Sequence, residues 1–273
     1  MNNKYCSLTT FKDYEFEEPR ENCIVCGSKK IVYWDNVRSM PIVRCTCCGV
    51  KFVNPLPSDK CIRKLYDGGL LRWSSIVEYE QNRKKYFIFY LKWLKDANPH
   101  GKKLLDIGCG IGTFMKMATD YMGWISVGLE ISRTDIGIAR KRDLKVIHID
   151  KVKQLSIDFD FCTMLDFLEH VKDPNYYLRI AYRALNKNGL LLIDTGDTGG
   201  LAGKISKTKN PFFKNEGHFV FYDKKSIVRL LDSSGFEVIE ILDESIIKDI
   251  SLIRKVFLLL ISRPNMFVLA KKR

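Results

Sequence analysis

A glycine-rich turn between two apolar segments constrains the fold of this chain most strongly. Residues 104–114 read LLDIGCGIGTF, so an apolar run leads through three glycines into a second apolar segment. Glycines permit backbone conformations that other residues avoid and let the main chain approach a ligand closely. A helix that starts directly after them offers free N–H groups to an anionic group. The stretch therefore predicts a strand, a ligand-binding turn and a helix.

Strand and helix patterns alternate along the rest of the chain, as expected for an α/β sheet. The predicted strands cover residues 103–107, 125–129, 145–148, 159–165 and 190–194, followed by 236–242 and 266–270. The predicted helices cover residues 58–66, 76–95, 114–121, 135–142, 174–185, 224–233 and 247–262, with a turn at 186–189. This order predicts an α/β, Rossmann-like and mostly parallel sheet with helices on both faces, whose last strand runs antiparallel to its neighbour.

The charges around the glycine turn favour S-adenosylmethionine over a dinucleotide. Thr113 stands three positions after Gly110, where the dinucleotide fingerprint requires a third glycine. Asp106 would repel a pyrophosphate, whereas S-adenosylmethionine carries a cationic sulfonium and ammonium. Glu130 ends the next strand, where a carboxylate can accept ribose hydroxyls. Asp150 is a candidate for the adenine amine, with a solvated turn aspartate as the alternative. The predicted cofactor contacts are Asp106, Gly108, Cys109, Gly110, Gly112, Phe114, Glu130, Ile131, Asp150 and Leu165.

A cysteine-rich window precedes this α/β pattern. Five of the nine cysteines lie between residues 23 and 48, in two CxxC pairs that are each followed by glycine. This spacing predicts a zinc ribbon with Cys23, Cys26, Cys45 and Cys48 as ligands, and four protein ligands make such a zinc structural. Free buried cysteines or a redox pair are the alternative. The predicted layout is an extension at 1–20, a zinc ribbon at 21–57, a helical linker at 58–98 and a catalytic domain at 99–273.

Together these motifs resemble the class I S-adenosylmethionine-dependent methyltransferases. The chain is especially similar to bacterial sugar methyltransferases of surface-polysaccharide and deoxysugar pathways, which carry an N-terminal zinc ribbon. The matching stretches are residues 23–27, 44–55, 104–114, 165–174 and 217–236. The resemblance implies a seven-stranded sheet with a final antiparallel strand. It also implies methyl transfer to a hydroxyl or carbon of a sugar or nucleotide-linked sugar.

The histidines are the candidates for proton removal from such an acceptor, because histidine titrates near neutral pH. His170 and His218 follow predicted strands, whereas His100 and His148 have structural positions. The resemblance implies that His218 abstracts a proton together with Glu216 and Tyr222. The glycine between Glu216 and His218 departs from the family's pattern, and a buried structural His218 is the alternative.

Asp166, Glu169 and His170 share one face of a predicted helical turn, because their spacing is i, i+3 and i+4. These side chains can hold Mg²⁺, a pattern similar to that of ubiquinone-pathway O-methyltransferases. Packing and hydrogen bonding at the start of a helix are the preferred interpretation.

After the fifth strand, residues 196–215 form an insertion that is expected to lie over the pocket as a substrate loop.

The formal net charge of +13 favours anionic partners such as nucleotide-linked substrates, nucleic acid or a lipid surface. The basic residues are scattered, so the partner class stays open, including peripheral membrane contact. No apolar run approaches the roughly 18 residues of a membrane span, and residues 1–10 lack a signal-peptide core, which predicts a cytoplasmic protein.

An RNA methyltransferase and an inactive cofactor-binding partner are the alternative functions. Residues 164–167 read MLDF, without the Asn/Asp-Pro-Pro-aromatic element of many base-amine methyltransferases.

Overall fold

The computed structural model describes most of the chain as two β-sheets with surrounding helices. The described residues are 15–37, 39–67, 76–155, 158–199, 211–215, 217–244 and 265–273. The predicted helix at 247–262 and the predicted catalytic residue Glu216 lie outside the described residues. Among the described helices, none combines the length and the hydropathy that crossing a membrane requires.

The larger sheet has seven strands and carries the glycine turn. Its strands are β4 (Lys103–Ile107), β5 (Ile125–Glu130), β6 (Lys145–His148), β7 (Phe159–Leu165), β8 (Leu185–Gly196), β10 (Phe236–Asp243) and β11 (Asn265–Lys272). They lie in the order β10-β11-β8-β7-β4-β5-β6. The pairs among β4 to β8 are parallel, and β11 is antiparallel to both β8 and β10. The predicted Rossmann-like sheet with an antiparallel last strand is therefore confirmed.

Helices cover this sheet close to the predicted positions. They are α1 (Asp59–Asp67), α2 (Ile76–Ala97), α3 (Thr113–Met122), α4 (Arg133–Lys141), α5 (Pro174–Ala184), the short α6 (Pro211–Lys214) and α7 (Lys224–Ser233). Helix α5 begins with Pro174 after the capping Asp173, and α7 begins with a capping box of Asp223 and Ser226. Helix α2 buries Phe87 and Tyr90 against the sheet in a cluster with Phe114.

One predicted turn lies inside a strand instead. The sequence predicts a turn at 186–189 followed by a strand, whereas β8 already begins at Leu185. Phe159 pairs with Leu185 and Phe161 pairs with Leu190, so the intervening residues bulge out of the ladder. Asn188 takes a left-handed conformation there, with φ of 67°. The turn chemistry is present, but it forms a bulge because both flanking segments pair with β7.

The smaller sheet joins two distant parts of the chain. Its strands β1 (Ile31–Val37), β2 (Met40–Cys45) and β3 (Lys51–Val53) belong to the cysteine module, which we define as residues 21–57. Its fourth strand is β9 (Val220–Phe221), which pairs antiparallel with β3. The sequence did not predict β9, because a two-residue strand has no periodicity of its own. The layout of separate domains stays a prediction, but this sheet contains residues from both sides of its boundary.

Candidate active site

The glycine turn after β4 presents open backbone at one position. Gly108, Gly110 and Gly112 all have positive φ, at 78°, 53° and 78°. A Cβ added at Gly108 would lie 2.2 Å from Phe167, and one at Gly112 would lie 2.3 Å from Leu144. A Cβ at Gly110 would meet nothing within 4 Å. Gly110 is therefore the point where a ligand can approach the main chain.

Helix α3 begins directly after this turn. Gly112 is its N-cap residue, and no side chain caps the helix. The first N–H groups of the helix are therefore available to an anionic group of a ligand. The carboxylate of S-adenosylmethionine is such a group.

Buried carboxylates surround the turn. Asp106 is 3% exposed and accepts a hydrogen bond from Thr163 Oγ1 at 2.7 Å. Burial, with a smaller contribution from Glu130, raises the pKa of Asp106 to about 7. Burial and Glu130 likewise raise the pKa of Asp135 to about 6. A cation bound here would favour the ionised carboxylates, so these residues fit the sulfonium and ammonium of S-adenosylmethionine.

Glu130 ties the end of β5 to the glycine turn. Its Oε2 accepts from the Gly110 N–H at 2.8 Å, and its Oε1 accepts from the N–H groups of Ile131 and Ser132. A carboxylate has about four acceptor positions, so room remains for a ribose hydroxyl beside the three backbone donors. The position predicted from the sequence is thus compatible with ribose binding.

The remaining predicted cofactor residues have mixed surroundings. Asp150 is half exposed and binds Arg63 of α1, with Nη–Oδ distances of 3.0 and 3.2 Å. Arg63 lowers the pKa of Asp150. Phe114 packs into the core against Phe87, with ring centroids 5.2 Å apart. Of the other predicted contacts, Cys109 is buried while Ile131 and Leu165 are partly buried. Contact of Asp150 with the adenine stays a prediction.

Two arginines that no sequence pattern singles out hold this region in place. Arg142 donates to the carbonyl of Ile111 at 3.1 Å and to Glu80 of α2 at 2.6 Å. Arg83 of α2 binds Asp166 at 2.9 Å and the buried Asp194 at 3.0 Å. A basic residue on a helix or directly after one is common, so neither position carries a sequence signal. Both contacts fix α2 over the carboxyl ends of the strands.

The Mg²⁺ triplet, the less favoured interpretation of Asp166, Glu169 and His170 in the sequence, is not brought together within the described residues. Asp166 has a left-handed backbone, with φ of 48°, and its carboxylate binds Arg83. Residues 168–170 form a single 3₁₀ turn rather than an α-helix, so the i, i+3, i+4 face does not form. Within the described parts of the chain, the ligand atoms of Glu169 and His170 cluster instead with those of His218.

His170 and His218 face each other in a region made of residues 168–170 and 217–222. We call this region the acceptor side, because the sequence predicts that its histidines act on the methyl acceptor. Their rings are 4.7 Å apart at an angle of 76°. His170 Nδ1 lies 2.7 Å from the carbonyl oxygen of Gly217, and His218 Nδ1 lies 2.8 Å from that of Phe212. Because a carbonyl only accepts, both rings carry a proton on Nδ1. His218 Nε2 then accepts from Asn215 Nδ2 at 2.7 Å, and the ring is 6% exposed.

Glu169 and Tyr222, which neighbour His170 and His218 in sequence, hold the chain around these histidines in place. Glu169 is 1% exposed and accepts from Thr195 Oγ1 at 2.9 Å. Burial, with repulsion from Asp166, raises the pKa of Glu169 well above its usual range. Tyr222 is fully buried, and its hydroxyl donates to the Leu168 carbonyl at 3.3 Å, so it anchors the segment.

Gly217 explains the departure from the family's pattern. A Cβ at this position would lie 2.9 Å from His170 Nδ1. The absence of a side chain therefore lets His170 approach the main chain and donate to the Gly217 carbonyl. The predicted catalytic roles of His218, Tyr222 and His170 remain predictions.

The cysteine module contains a candidate metal centre. The Sγ atoms of Cys23 and Cys48 are 3.6 Å apart, those of Cys26 and Cys45 are 3.7 Å apart, and all four lie within 4.8 Å of one another. Four thiolates around one zinc ion at 2.3 Å would be about 3.8 Å apart. Cys47 is exposed and outside this group. The four predicted ligands therefore fit a tetrahedral zinc ion.

The module also contacts the acceptor side directly. The buried Lys51 of β3 donates to Thr198 Oγ1 at 3.3 Å, and Thr198 Oγ1 donates to the Tyr222 carbonyl at 2.7 Å. Trp34 stacks on Phe213 with ring centroids 5.5 Å apart. These contacts join residues far apart in sequence, and no local sequence pattern predicts them.

Comparisons with known proteins agree with this geometry. A family model described as "Methyltransferase domain" matches residues 79–241. A protein of Methanocaldococcus jannaschii described as uncharacterized is 31% identical over 192 residues, which are 66% of this chain and 88% of that protein. A ubiquinone biosynthesis O-methyltransferase of Pseudomonas syringae pv. tomato is 28% identical over 115 residues, 38% of this chain and 49% of that enzyme. The chain thus spans about half the length of that enzyme.

A solved structure shows the same fold. It is that of an S-adenosylmethionine-dependent methyltransferase of Thermotoga maritima, which is 22% identical to this chain. The TM-score is 0.52, and the match covers 77% of this chain and 99% of that one. At this identity the match supports the fold.

Proposed function

The chain belongs to the methyltransferase-domain family, and from that premise we propose that it transfers the methyl group of S-adenosylmethionine to a hydroxyl of a small molecule. Transfer of the methyl group to a carbon atom of the small molecule is the alternative. The observation that supports a hydroxyl acceptor is the pair His170 and His218, whose rings are oriented by backbone carbonyls. A neutral imidazole with its proton on Nδ1 has a lone pair on Nε2 that can take a proton.

On the cofactor side, the residues bind and orient. S-adenosylmethionine, when bound, supplies an electrophilic methyl group on a sulfonium. Gly110 gives the cofactor access to the main chain, and Glu130 offers an acceptor to a ribose hydroxyl. Asp106 supplies negative charge beneath the site. Alignment of the methyl group with the acceptor can contribute roughly 7–11 kcal/mol to catalysis.

On the acceptor side, the histidines handle the proton. A hydroxyl must lose its proton as it attacks, and a positioned base contributes about 10²–10⁴ in rate. His218 Nε2 is engaged by Asn215, so Asn215 must turn away before that nitrogen can accept a proton. Glu216 stands next to this segment in sequence and stays a proposed member of the group.

For the acceptor itself we propose a sugar or nucleotide-linked sugar. The formal net charge of +13 supports an anionic substrate. The combination of a cysteine module with a methyltransferase sheet resembles sugar methyltransferases that carry a zinc ribbon. We also propose that the four cysteines hold a structural Zn²⁺, which their spacing supports. Synthesis of a surface polysaccharide in the cytoplasm is the corresponding proposed setting.

Turnover of His218→Ala tests this function. Methyl transfer from labelled S-adenosylmethionine is measured against nucleotide-sugars and, in parallel, phenolic acceptors. We expect a loss of about tenfold or more in kcat, while the Kd for the cofactor changes by less than about twofold. His100→Ala is the matched control, because His100 is exposed before β4.

Near-normal turnover of His218→Ala would overturn the assigned role of His218. Transfer to phenols alone would overturn the sugar acceptor and leave the hydroxyl chemistry in place. Failure of the wild type to methylate any hydroxyl or carbon acceptor would overturn the proposed function.

A further inference from the structure

An arginine of α1 holds the carboxylate that follows β6. Arg63 Nη2 donates to Asp150 Oδ1 at 3.0 Å and Arg63 Nη1 donates to Asp150 Oδ2 at 3.2 Å, so the two side chains form a bidentate fork. We propose that Arg63 is a positioning residue for the adenine end of S-adenosylmethionine, because it holds Asp150 in an orientation that accepts the adenine amine. The inference rests on the proposed function only through its cofactor.

The order of the strands places Asp150 beyond the candidate ribose position. Strand β5 lies between β4 and β6. The Gly110 N–H after β4 donates to Glu130 at the end of β5, and Glu130 pairs with His148 at the end of β6. Asp150 follows directly after that strand. A cofactor with its carboxylate at the start of α3 and its ribose at Glu130 therefore extends its adenine towards Asp150.

The Asp150 carboxylate has acceptor positions beyond those that Arg63 uses. A carboxylate offers about four such positions, and the fork takes two of them. His148 Nδ1 accepts from the Asp150 main-chain N–H at 3.2 Å, which fixes the backbone at the start of the 3₁₀ turn Ile149–Gln154. Arg63 also lowers the pKa of Asp150, so the carboxylate is ionised and accepts hydrogen bonds at neutral pH.

Helix α1 gives Arg63 a fixed base. Ile62 and Leu65 of this helix are buried in the hydrophobic core, at 9% and 6% exposure. The side chains of Arg63 and Asp150 are 46% and 53% exposed, so a ligand can cover both of them. An ion pair this exposed contributes little to folding stability. Arg63 and Asp150 can therefore be substituted without unfolding the protein.

Tyr177 of α5 connects the region of Arg63 with the glycine turn. Burial raises the pKa of Tyr177 to about 12, and the charges of Glu130 and Arg63 act on this pKa in opposite directions. The Tyr177 ring packs edge-on against Phe167, with ring centroids 4.9 Å apart. Phe167 in turn fills the space beside Gly108. Arg63 is therefore near the cofactor side of the sheet.

The exocyclic group of the base reports on this contact. Adenine carries an amine that donates hydrogen bonds, whereas hypoxanthine carries a carbonyl oxygen at the same position, which only accepts. An ionised carboxylate such as Asp150 accepts from the amine and repels the carbonyl oxygen. A site built to accept a donated hydrogen bond rejects an analogue that lacks the donor. The preference for adenine over hypoxanthine therefore measures how well Asp150 is positioned.

Calorimetry with the full chain compares two ligands that differ in the base alone, S-adenosylhomocysteine and S-inosylhomocysteine. Wild type is expected to bind S-adenosylhomocysteine at least about tenfold more tightly. Asp150→Asn, whose amide can also donate, should reduce this preference to about twofold or less. Arg63→Ala should weaken S-adenosylhomocysteine binding by about three- to tenfold and reduce the preference as well. Arg63→Lys keeps the charge without the fork, so its preference should lie between those of Arg63→Ala and wild type.

Lys103→Ala is the matched control, because Lys103 forms a similarly exposed ion pair with Asp158 at the opposite end of the sheet. Both affinities should stay unchanged in this variant. A preference that survives in Arg63→Ala but is lost in Asp150→Asn would overturn the role of Arg63. Equal binding of the two ligands by wild type would overturn the adenine contact and leave the proposed function in place. Failure of wild type to bind either ligand would contradict the cofactor of the proposed function instead.

Discussion

The cofactor side and the acceptor side of the site are assembled in different ways. Asp106 and Gly110 come from one strand and the turn after it, and Glu130 ends the neighbouring parallel strand. The acceptor side combines the 3₁₀ turn at 168–170, the segment 217–222 and strand β3 of the cysteine module. The first is a local unit of chain, and the second exists only after distant segments pack together. The two sides should therefore respond differently to the same perturbation.

Loss of the proposed zinc ion from the cysteine module should produce the largest difference. Cys48→Ser removes one of four clustered ligands, and structural zinc sites of this size contribute folding energy outright. Strand β9 pairs with β3, so the segment that carries His218 should lose its support. We expect acceptor turnover to fall by about 100-fold or more, because a misplacement of about 1 Å can have that effect. Titration calorimetry should show a cofactor Kd within about threefold of wild type.

Cys47→Ser is the matched control for this loss. Cys47 is exposed and lies outside the cluster, so both turnover and cofactor binding should stay unchanged. Equal losses of cofactor binding and turnover in Cys48→Ser would show that the two sides form one unit.

A glycine substitution should act on the cofactor side alone. Gly110 and Gly123 have φ of 53° and 65°, and a Cβ at either position would meet nothing within 4 Å. Alanine at either site should strain the backbone by a similar amount, about 1–2 kcal/mol, because both residues have a left-handed backbone conformation. Only Gly110 faces the site, so only Gly110→Ala should weaken cofactor binding, by about tenfold or more.

Calorimetry of the cofactor with both variants checks this expectation, and thermal unfolding confirms that their stabilities match. Equal weakening by Gly123→Ala would mean that strain, rather than contact, accounts for the loss.

The difference between a site built from one local stretch of chain and one assembled from distant segments also determines which features the sequence could predict. The glycine turn, the position of Glu130 at the end of a strand and the alternation of strands and helices were predictable because each depends on spacing within one strand, turn and helix. The four clustered cysteines were predictable for the same reason. The link from Lys51 through Thr198 to Tyr222 was not, because it joins three separate segments. The tautomers of His170 and His218 depend on carbonyls that only the folded chain brings near.

The Mg²⁺ triplet, which was the less favoured interpretation of its residues, shows the limit of local spacing. Spacing alone suggested a shared helix face for Asp166, Glu169 and His170. The chain forms a short 3₁₀ turn there, and Arg83 from α2 takes the carboxylate of Asp166. A tertiary ion pair therefore overrode a local pattern.

The smallest expected effect is the pH dependence of cofactor binding. Burial raises the pKa of Asp106 to about 7, and a bound cation favours its ionised form. Affinity for S-adenosylmethionine should therefore fall by up to about tenfold from pH 8 to pH 6. S-adenosylhomocysteine lacks the sulfonium charge and should show a flatter profile. Calorimetry at several pH values measures both.

Asp106→Asn is the control for this profile, because its amide oxygen can still accept from Thr163. The folded-state pKa lies above the unfolded value, so Asp106 costs stability as the pH rises from about 4 to about 7. The variant should therefore bind the cofactor weakly at every pH and unfold at a higher temperature than wild type at pH 8. A steep pH profile in Asp106→Asn would assign the titration to another group.

Hydrogen exchange tests most directly whether the two sides are built separately. Backbone exchange is compared between Cys48→Ser and Cys47→Ser in two segments, residues 103–113 and residues 217–222. We expect faster exchange in 217–222 of Cys48→Ser, because β9 loses its partner β3, and equal exchange in 103–113 of both variants. Equal protection of 217–222 in the two variants, or parallel loss in both segments, would contradict it.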